Sequence, residues 1–155
     1  MKKSEVIRLY RALNQLGNLS GVKFTYAVAR NIAALKSEIE SLEKATVASL
    51  EYQEFDKLRV ELVEKHAKKN DKGKPIIEGN TYVLEDEKAF NKAFDKLRDS
   101  HKKVVDAREK QIQDYNKLLD EEVTLDNLHR FKLADVPEGI TAAQMNGIAD
   151  LVDES

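Results

Sequence analysis

The side chains of this sequence that are able to do chemistry are few, and their spacing keeps them apart. Three histidines, His66, His101 and His129, are the only imidazoles, and cysteine is absent. A zinc-type site needs ligands gathered at short helical or turn spacings. None of the three has a second histidine or a carboxylate cluster placed to converge with it, so the reading is no metal and no cofactor. The lack of cysteine also excludes a thiolate nucleophile and a disulfide framework, which fits a reducing cytoplasm. Serine and threonine occur without a G-x-S-x-G elbow or an S-x-x-K pairing in the context that nucleophilic catalysis requires. Neither a P-loop nor a G-x-G-x-x-G run is present to cradle phosphates, and the six glycines fall at turns and element ends. Acid–base work would need paired carboxylates in a recess, whereas the acidic residues here fall mostly on exposed helical positions. The chain therefore reads as a protein without catalytic residues.

Two groups remain as candidate binding features. Lys65, Lys68, Lys69, Lys72 and Lys74 concentrate positive charge in one short stretch, relieved within the loop by Asp71, and would suit an anion. Arginine is missing there and Tyr82 is the one aromatic side chain nearby, so base stacking has little material and a nucleic-acid partner is not expected. His101, Arg108 and Gln111 share one helical stripe, where polar residues of a seam set register or meet a partner. Val60, Val63, Val105 and Ile112 widen the apolar surface beyond a single seam, which points to a protein partner or a homo-oligomer.

The elements that must position these residues follow from hydrophobic spacing. Val6, Leu9, Tyr10, Leu13 and Leu16 predict a first helix within residues 1–20, capped by Ser4 and stopped at Gly17. Phe24, Val28, Ile32, Leu35, Ile39 and Leu42 continue through Leu50, Phe55, Leu58 and Leu62 without proline or glycine. That run predicts one helix from Phe24 to Lys69, roughly 46 residues or 69 Å. Asn70 to Pro75 breaks it. Pro75–Glu78 and Thr81–Leu84 then flank Gly79-Asn80 as a hairpin with a type II′ turn, a β tip over residues 74–85. Asp86 caps a second arm of about 36 residues, in which Phe90, Phe94, Leu97, His101, Val104, Arg108, Gln111, Tyr115 and Leu118 keep four-three spacing.

Folding back at the turn sets the arms antiparallel, with opposite residues summing to about 158. Arg108 and Gln111 then face Thr46 to Ser49, Leu58 and Leu62 face Leu97 and Phe94, and Ile39 and Leu42 face Tyr115 to Leu119. Further on, Val123, Leu125, Phe131 and Leu133 alternate as extended pieces. Thr141 and Gln144 form a capping box before a final helix through Met145, Ile148, Leu151 and Val152, whose acidic end Asp153-Glu154 should fray.

The expected fold is mainly α: a long, coiled-coil-like antiparallel helical hairpin over residues 22–121 with a short β-hairpin at its tip. A short N-terminal helix precedes it and a C-terminal extended segment and helix over 122–155 follow, all in one elongated domain spanning 1–155. Composition agrees, since 35% charged and 6% aromatic residues suit an elongated helical protein better than a thick globule. Lysine and arginine number 26 against 28 acidic residues, which removes a general attraction to nucleic acid or membrane. No apolar run approaches the roughly 18 residues of a membrane span, and Met1-Lys2-Lys3-Ser4 opens an amphipathic pattern, so a soluble protein is expected.

In the order of its parts the chain resembles a family of small proteins of unknown function from tailed bacteriophages. The resemblance rests on Leu9-Tyr10-Arg11-Ala12-Leu13-Asn14-Gln15-Leu16, on Val22 to Leu35 with Ala29-Arg30-Asn31, and on Lys65-His66-Ala67 to Gly73-Lys74. Glu121-Glu122-Val123-Thr124-Leu125 to Lys132-Leu133-Ala134-Asp135-Val136 is similar to that family's close, while Asp99 to Tyr115 looks like an extension of the second arm. The resemblance implies a phage origin and no mechanism. The function expected is a non-catalytic interaction or assembly protein that self-associates or docks on a virion or host protein, in the host cytoplasm or with the virion. A prefoldin-like adaptor and an anti-defence binder of a nucleotide-type small molecule are the alternatives.

Overall fold

The computed structural model describes residues 1–125 and 127–153. Its elements are α1 (Lys3–Asn14), α2 (Val22–Thr46), α3 (Leu50–His66), β1 (Ile77–Glu78), β2 (Thr81–Tyr82), α4 (Glu87–Ser100), α5 (Lys102–Asp120), β3 (Phe131–Lys132), α6 (Ala142–Ile148) and β4 (Val152–Asp153). The chain is mainly helical, and its backbone contacts gather in two compact units, residues 1–46 with 114–155 and residues 47–113. A one-domain reading of 1–155 does not anticipate that division.

The first unit carries the thicker core. Val6, Leu9, Leu13 and Leu16 are buried at the spacing the sequence predicts, and they meet Phe24, Val28, Leu35 and Ile39 of α2. Ser4 is not the cap: it lies inside α1, and the backbone N–H of Lys2 donates to Glu5 Oε2 at 2.8 Å. The carboxylate satisfies an orphan amide and favours the positive end of the helix dipole, so the helix starts earlier than a serine cap would set it. On α2 the buried stripe runs through Asn31, which is 0% exposed, rather than through Ile32, which is half-buried.

The C-terminal part closes this core. Phe131 of β3 packs on Phe24 with ring centroids 5.2 Å apart, and β3 pairs in parallel with β4, Phe131 opposite Val152. The capping box holds, with Gln144 N–H donating to Thr141 Oγ1 at 3.2 Å and Thr141 N–H to Gln144 Oε1 at 3.0 Å. The final helix is shorter than expected. α6 ends at Ile148, a tight turn over Ala149–Leu151 follows, and Asp153 sits in β4 paired with Arg130 at 3.2 Å instead of fraying. Glu154 lies outside the described residues. Leu133 departs from the alternation and is 50% exposed. The N-terminus is tied to the end of α5, Lys3 N–H donating to Glu121 O and Val123 N–H to Met1 O.

The single helix expected from Phe24 to Lys69 is two helices, with residues 47–49 non-helical between them. No proline or glycine marks this break; polar side chains make it. Thr46 Oγ1 donates back to Glu43 O at 2.8 Å, Ser49 Oγ accepts from Tyr52 N–H at 3.2 Å, and Gln53 Nε2 donates to Ala48 O at 2.9 Å. Each satisfies a backbone group that a continuous helix would satisfy itself, which is how threonine and serine compete with helical ladders.

The second arm is interrupted too, at His101, whose backbone leaves the helical region at φ −113°, ψ 20°. Leu97 O accepts from Ser100 Oγ at 2.7 Å and lies 3.0 Å from His101 Nδ1, so side chains crowd one carbonyl at the end of α4. Asp86 caps α4 as predicted, accepting from Ala89 N–H at 3.0 Å.

Within the second unit α3 and α4 run in opposite directions. His66 at the end of α3 meets Phe90 near the start of α4 at 6.0 Å, and Phe55 meets His101 at 5.5 Å. The buried residue of α3 is Phe55, with Leu50 at 75% and Leu58 at 41% exposure. Between the helices, β1 and β2 pair antiparallel about Gly79-Asn80, with Ile77 opposite Tyr82 and Gly79 at φ +61°. Positive φ at that position is what a primed two-residue turn demands. Lys68 adds a further rung, its N–H donating to Val83 O and its carbonyl accepting from Ile76 N–H.

Candidate functional site

The break at residues 47–49 strips Val47 of a helical partner for its carbonyl, and the opposite helix supplies one. Gln111 Nε2 donates to Val47 O at 3.0 Å, and Arg108 Nη1 donates to Gln111 Oε1 at 2.7 Å. The Arg108 guanidinium lies over the Tyr52 ring, 5.5 Å from its centroid. A chain of contacts thus runs from an aromatic face through a permanent cation to a backbone carbonyl. Val47, Ser49, Ala107, Arg108 and Gln111 line a cavity of ≈ 310 Å³. Apolar side chains of this region stand in solvent: Val47 is 62% exposed, Leu50 75% and Ile112 47%.

Of the stripe residues singled out from sequence, Arg108 and Gln111 therefore share this cleft, and Ile112 is their exposed apolar neighbour along α5. His101 does not join them. Its ring packs on Phe55 and its Nδ1 is 3.0 Å from both Ser100 Oγ and Leu97 O, a structural placement at the end of α4. Val105 is buried, 8% exposed, and belongs to the thin core of this unit with Phe55 and Ala67. Val60 and Val63 are half-buried.

The five lysines of the tip are all exposed and stand on separate pieces of backbone. Lys65 is in the last turn of α3, Lys68 and Lys69 follow it, and Lys72 and Lys74 sit on a loop that Asn70 Oδ1 holds by accepting from both their N–H groups at 3.0 Å. Tyr82 is turned to the acidic side, donating to Glu64 Oε1 at 3.2 Å. Desolvation, then that bond and the charge of Glu64, hold its phenol above the ordinary 10.0.

Sequence reasoning passed over a second place, in the other unit. Asn31 Nδ2 donates to His129 O at 2.9 Å, and His129 N–H donates to Asn31 Oδ1 at 2.7 Å, so a fully buried amide grips both backbone groups of one residue. Tyr26 meets the His129 ring edge-on at 6.1 Å. Arg30, Ala33, Ala34, Asn127, Leu128 and His129 line a groove beside this grip. The one hint in sequence is an asparagine at a core position of a helical stripe, where polar residues are rare unless paired.

Among the described residues no group of three or more histidine, aspartate or glutamate side chains is placed to hold a metal ion, and no helix is long and apolar enough to cross a membrane. Comparison with protein-family models, with curated proteins and with solved structures finds no match to this chain.

Proposed function

We propose that this is a non-catalytic, phage-encoded interaction or assembly protein whose helical surface docks on a protein partner, a virion component, a host protein or a second copy of itself. The observation that carries the reading is the exposed apolar set Val47, Leu50 and Ile112 beside the Arg108–Gln111 cleft. Interface energy concentrates where apolar side chains and an arginine surround a recess that a partner can fill and dehydrate. Arg108 is already stacked on Tyr52 and bonded to Gln111, so less side-chain freedom is lost when a partner closes over it. The antiparallel packing of α3 on α4 supports the further reading of a coiled-coil-like blade, with this cleft as its contact point. The phage origin rests on the resemblance drawn from sequence.

The test is a double variant, Val47→Asp with Leu50→Asp, two exposed positions that leave the core alone. The intact protein is expected to show a mass above the monomer in light scattering, or to retain one specific protein from infected-cell extract. The variant should lose that association by at least about tenfold, some 1.4 kcal/mol. A protein that stays monomeric at high concentration and captures the same proteins with and without the two aspartates would end the reading.

A further inference from the structure

The groove lined by Arg30, Ala33, Ala34, Asn127, Leu128 and His129 has a volume of ≈ 590 Å³, within the range of small-molecule sites. We propose that it binds a small organic phosphate, a phosphate monoester on an apolar or aromatic body, with Arg30, His129 and Asn127 holding the phosphate oxygens. This does not rest on the docking surface described above, which lies in the other unit.

Three observations converge on that chemistry. Arg30 lines the groove, and none of the ion pairs among the described residues involves it. A planar fork of donors matches phosphate oxygens in pairs, and a cation left without a counter-charge at a recess favours an anion there. His129 stands on the same wall, and its position is fixed from behind. The buried Asn31 amide clasps its N–H and its carbonyl, and Tyr26 braces its ring edge-on. A polar side chain held at 0% exposure within an apolar core thus fixes the backbone that carries this imidazole. Finally, Ala33 and Ala34 keep the α2 side of the groove shallow enough to admit a ligand body, and Leu128 gives it an apolar wall. Tyr26, 60% exposed and one helical turn before Arg30, adds an aromatic side chain in contact with the His129 ring.

The probes are AMP and inorganic phosphate, titrated into ¹⁵N-labelled full-length protein. AMP should shift the amides of Arg30, Ala33, Ala34, Asn127 and His129 saturably, and more tightly than inorganic phosphate does. Arg30→Gln should weaken AMP at least tenfold, Arg30→Lys less, and His129→Gln several-fold, each with the melting transition of the parent. The Val47→Asp, Leu50→Asp protein should bind AMP as the parent does. Absence of shifts at these amides in millimolar AMP overturns the proposal, as does equal affinity for AMP and inorganic phosphate. Unchanged affinity in Arg30→Gln would show the anion to be held elsewhere and overturn it equally.

Discussion

Asn31 is the buried polar side chain of the first unit among the described residues. Its carboxamide replaces what would be a strand partner for His129, donating at 2.9 Å and accepting at 2.7 Å across a sequence separation of 98 residues. Removing it strands two backbone groups as well as opening a void, and each buried unpaired group costs about 1–3 kcal/mol. Asn31→Ala should therefore lower stability by roughly 2–4 kcal/mol, read as a fall in the urea midpoint at constant m value. Asn31→Leu fills the space yet leaves His129 unpaired, so it should recover little; a leucine variant as stable as the parent would refute the role of the clasp. Asn31→Asp should be worse than alanine, since it places a charge at a position 0% exposed and removes the donor to His129 O.

At the level of elements, one close approach and one helix cap make sharp predictions. An added Cβ at Gly147 of α6 would lie 2.8 Å from Ala12 Cβ of α1, closer than real Cβ contacts come. Helix propensity favours alanine by about 1 kcal/mol, but forced overpacking between two helices costs about 1–3 kcal/mol, so Gly147→Ala should destabilise. Its cost should shrink in an Ala12→Gly background, the coupling that a double-mutant cycle reads; additive losses would place the strain elsewhere. The start of α3 depends on its cap. Ser49→Ala removes the acceptor for Tyr52 N–H and should cost about 1 kcal/mol, while Ser49→Asp should keep the bond and the helix.

For the whole molecule, the two units differ in how much apolar surface they enclose. The first has a continuous core from Val6 to Leu151, whereas the second has Phe55, Ala67 and Val105 as its buried hydrophobic residues and none on α4. Local opening follows the burial that opposes it, so amides of α4 should exchange with solvent faster than those of α1 and of the first half of α2. Hydrogen-exchange mass spectrometry on the full chain checks this. Equal protection in α4 and α1 would mean that aromatic contacts such as Phe90 on Phe94, 5.9 Å apart, stabilise the second unit far more than its burial indicates.

The sequence by itself determined the helices, the stripe from Phe90 to Leu118, the capping box at Thr141, the cap at Asp86 and the turn at Gly79-Asn80. These depend on spacing and on side chains acting within a few residues, where local physics decides. It did not determine where the long arms break. Helix propensities of Thr46, Val47, Ser49 and His101 differ from those of their neighbours by only about 0.5 kcal/mol per residue, too little to mark a boundary without proline or glycine. Gln111 reaching Val47 O, and the side chains gathered on Leu97 O, settle it. Nor did spacing separate Asn31 from Ile32 as the core residue, since adjacent positions fit the stripe almost equally well. Only the return of residues 127–131 along α2 decides between them, because a buried amide is tolerated where a distant backbone arrives to satisfy it.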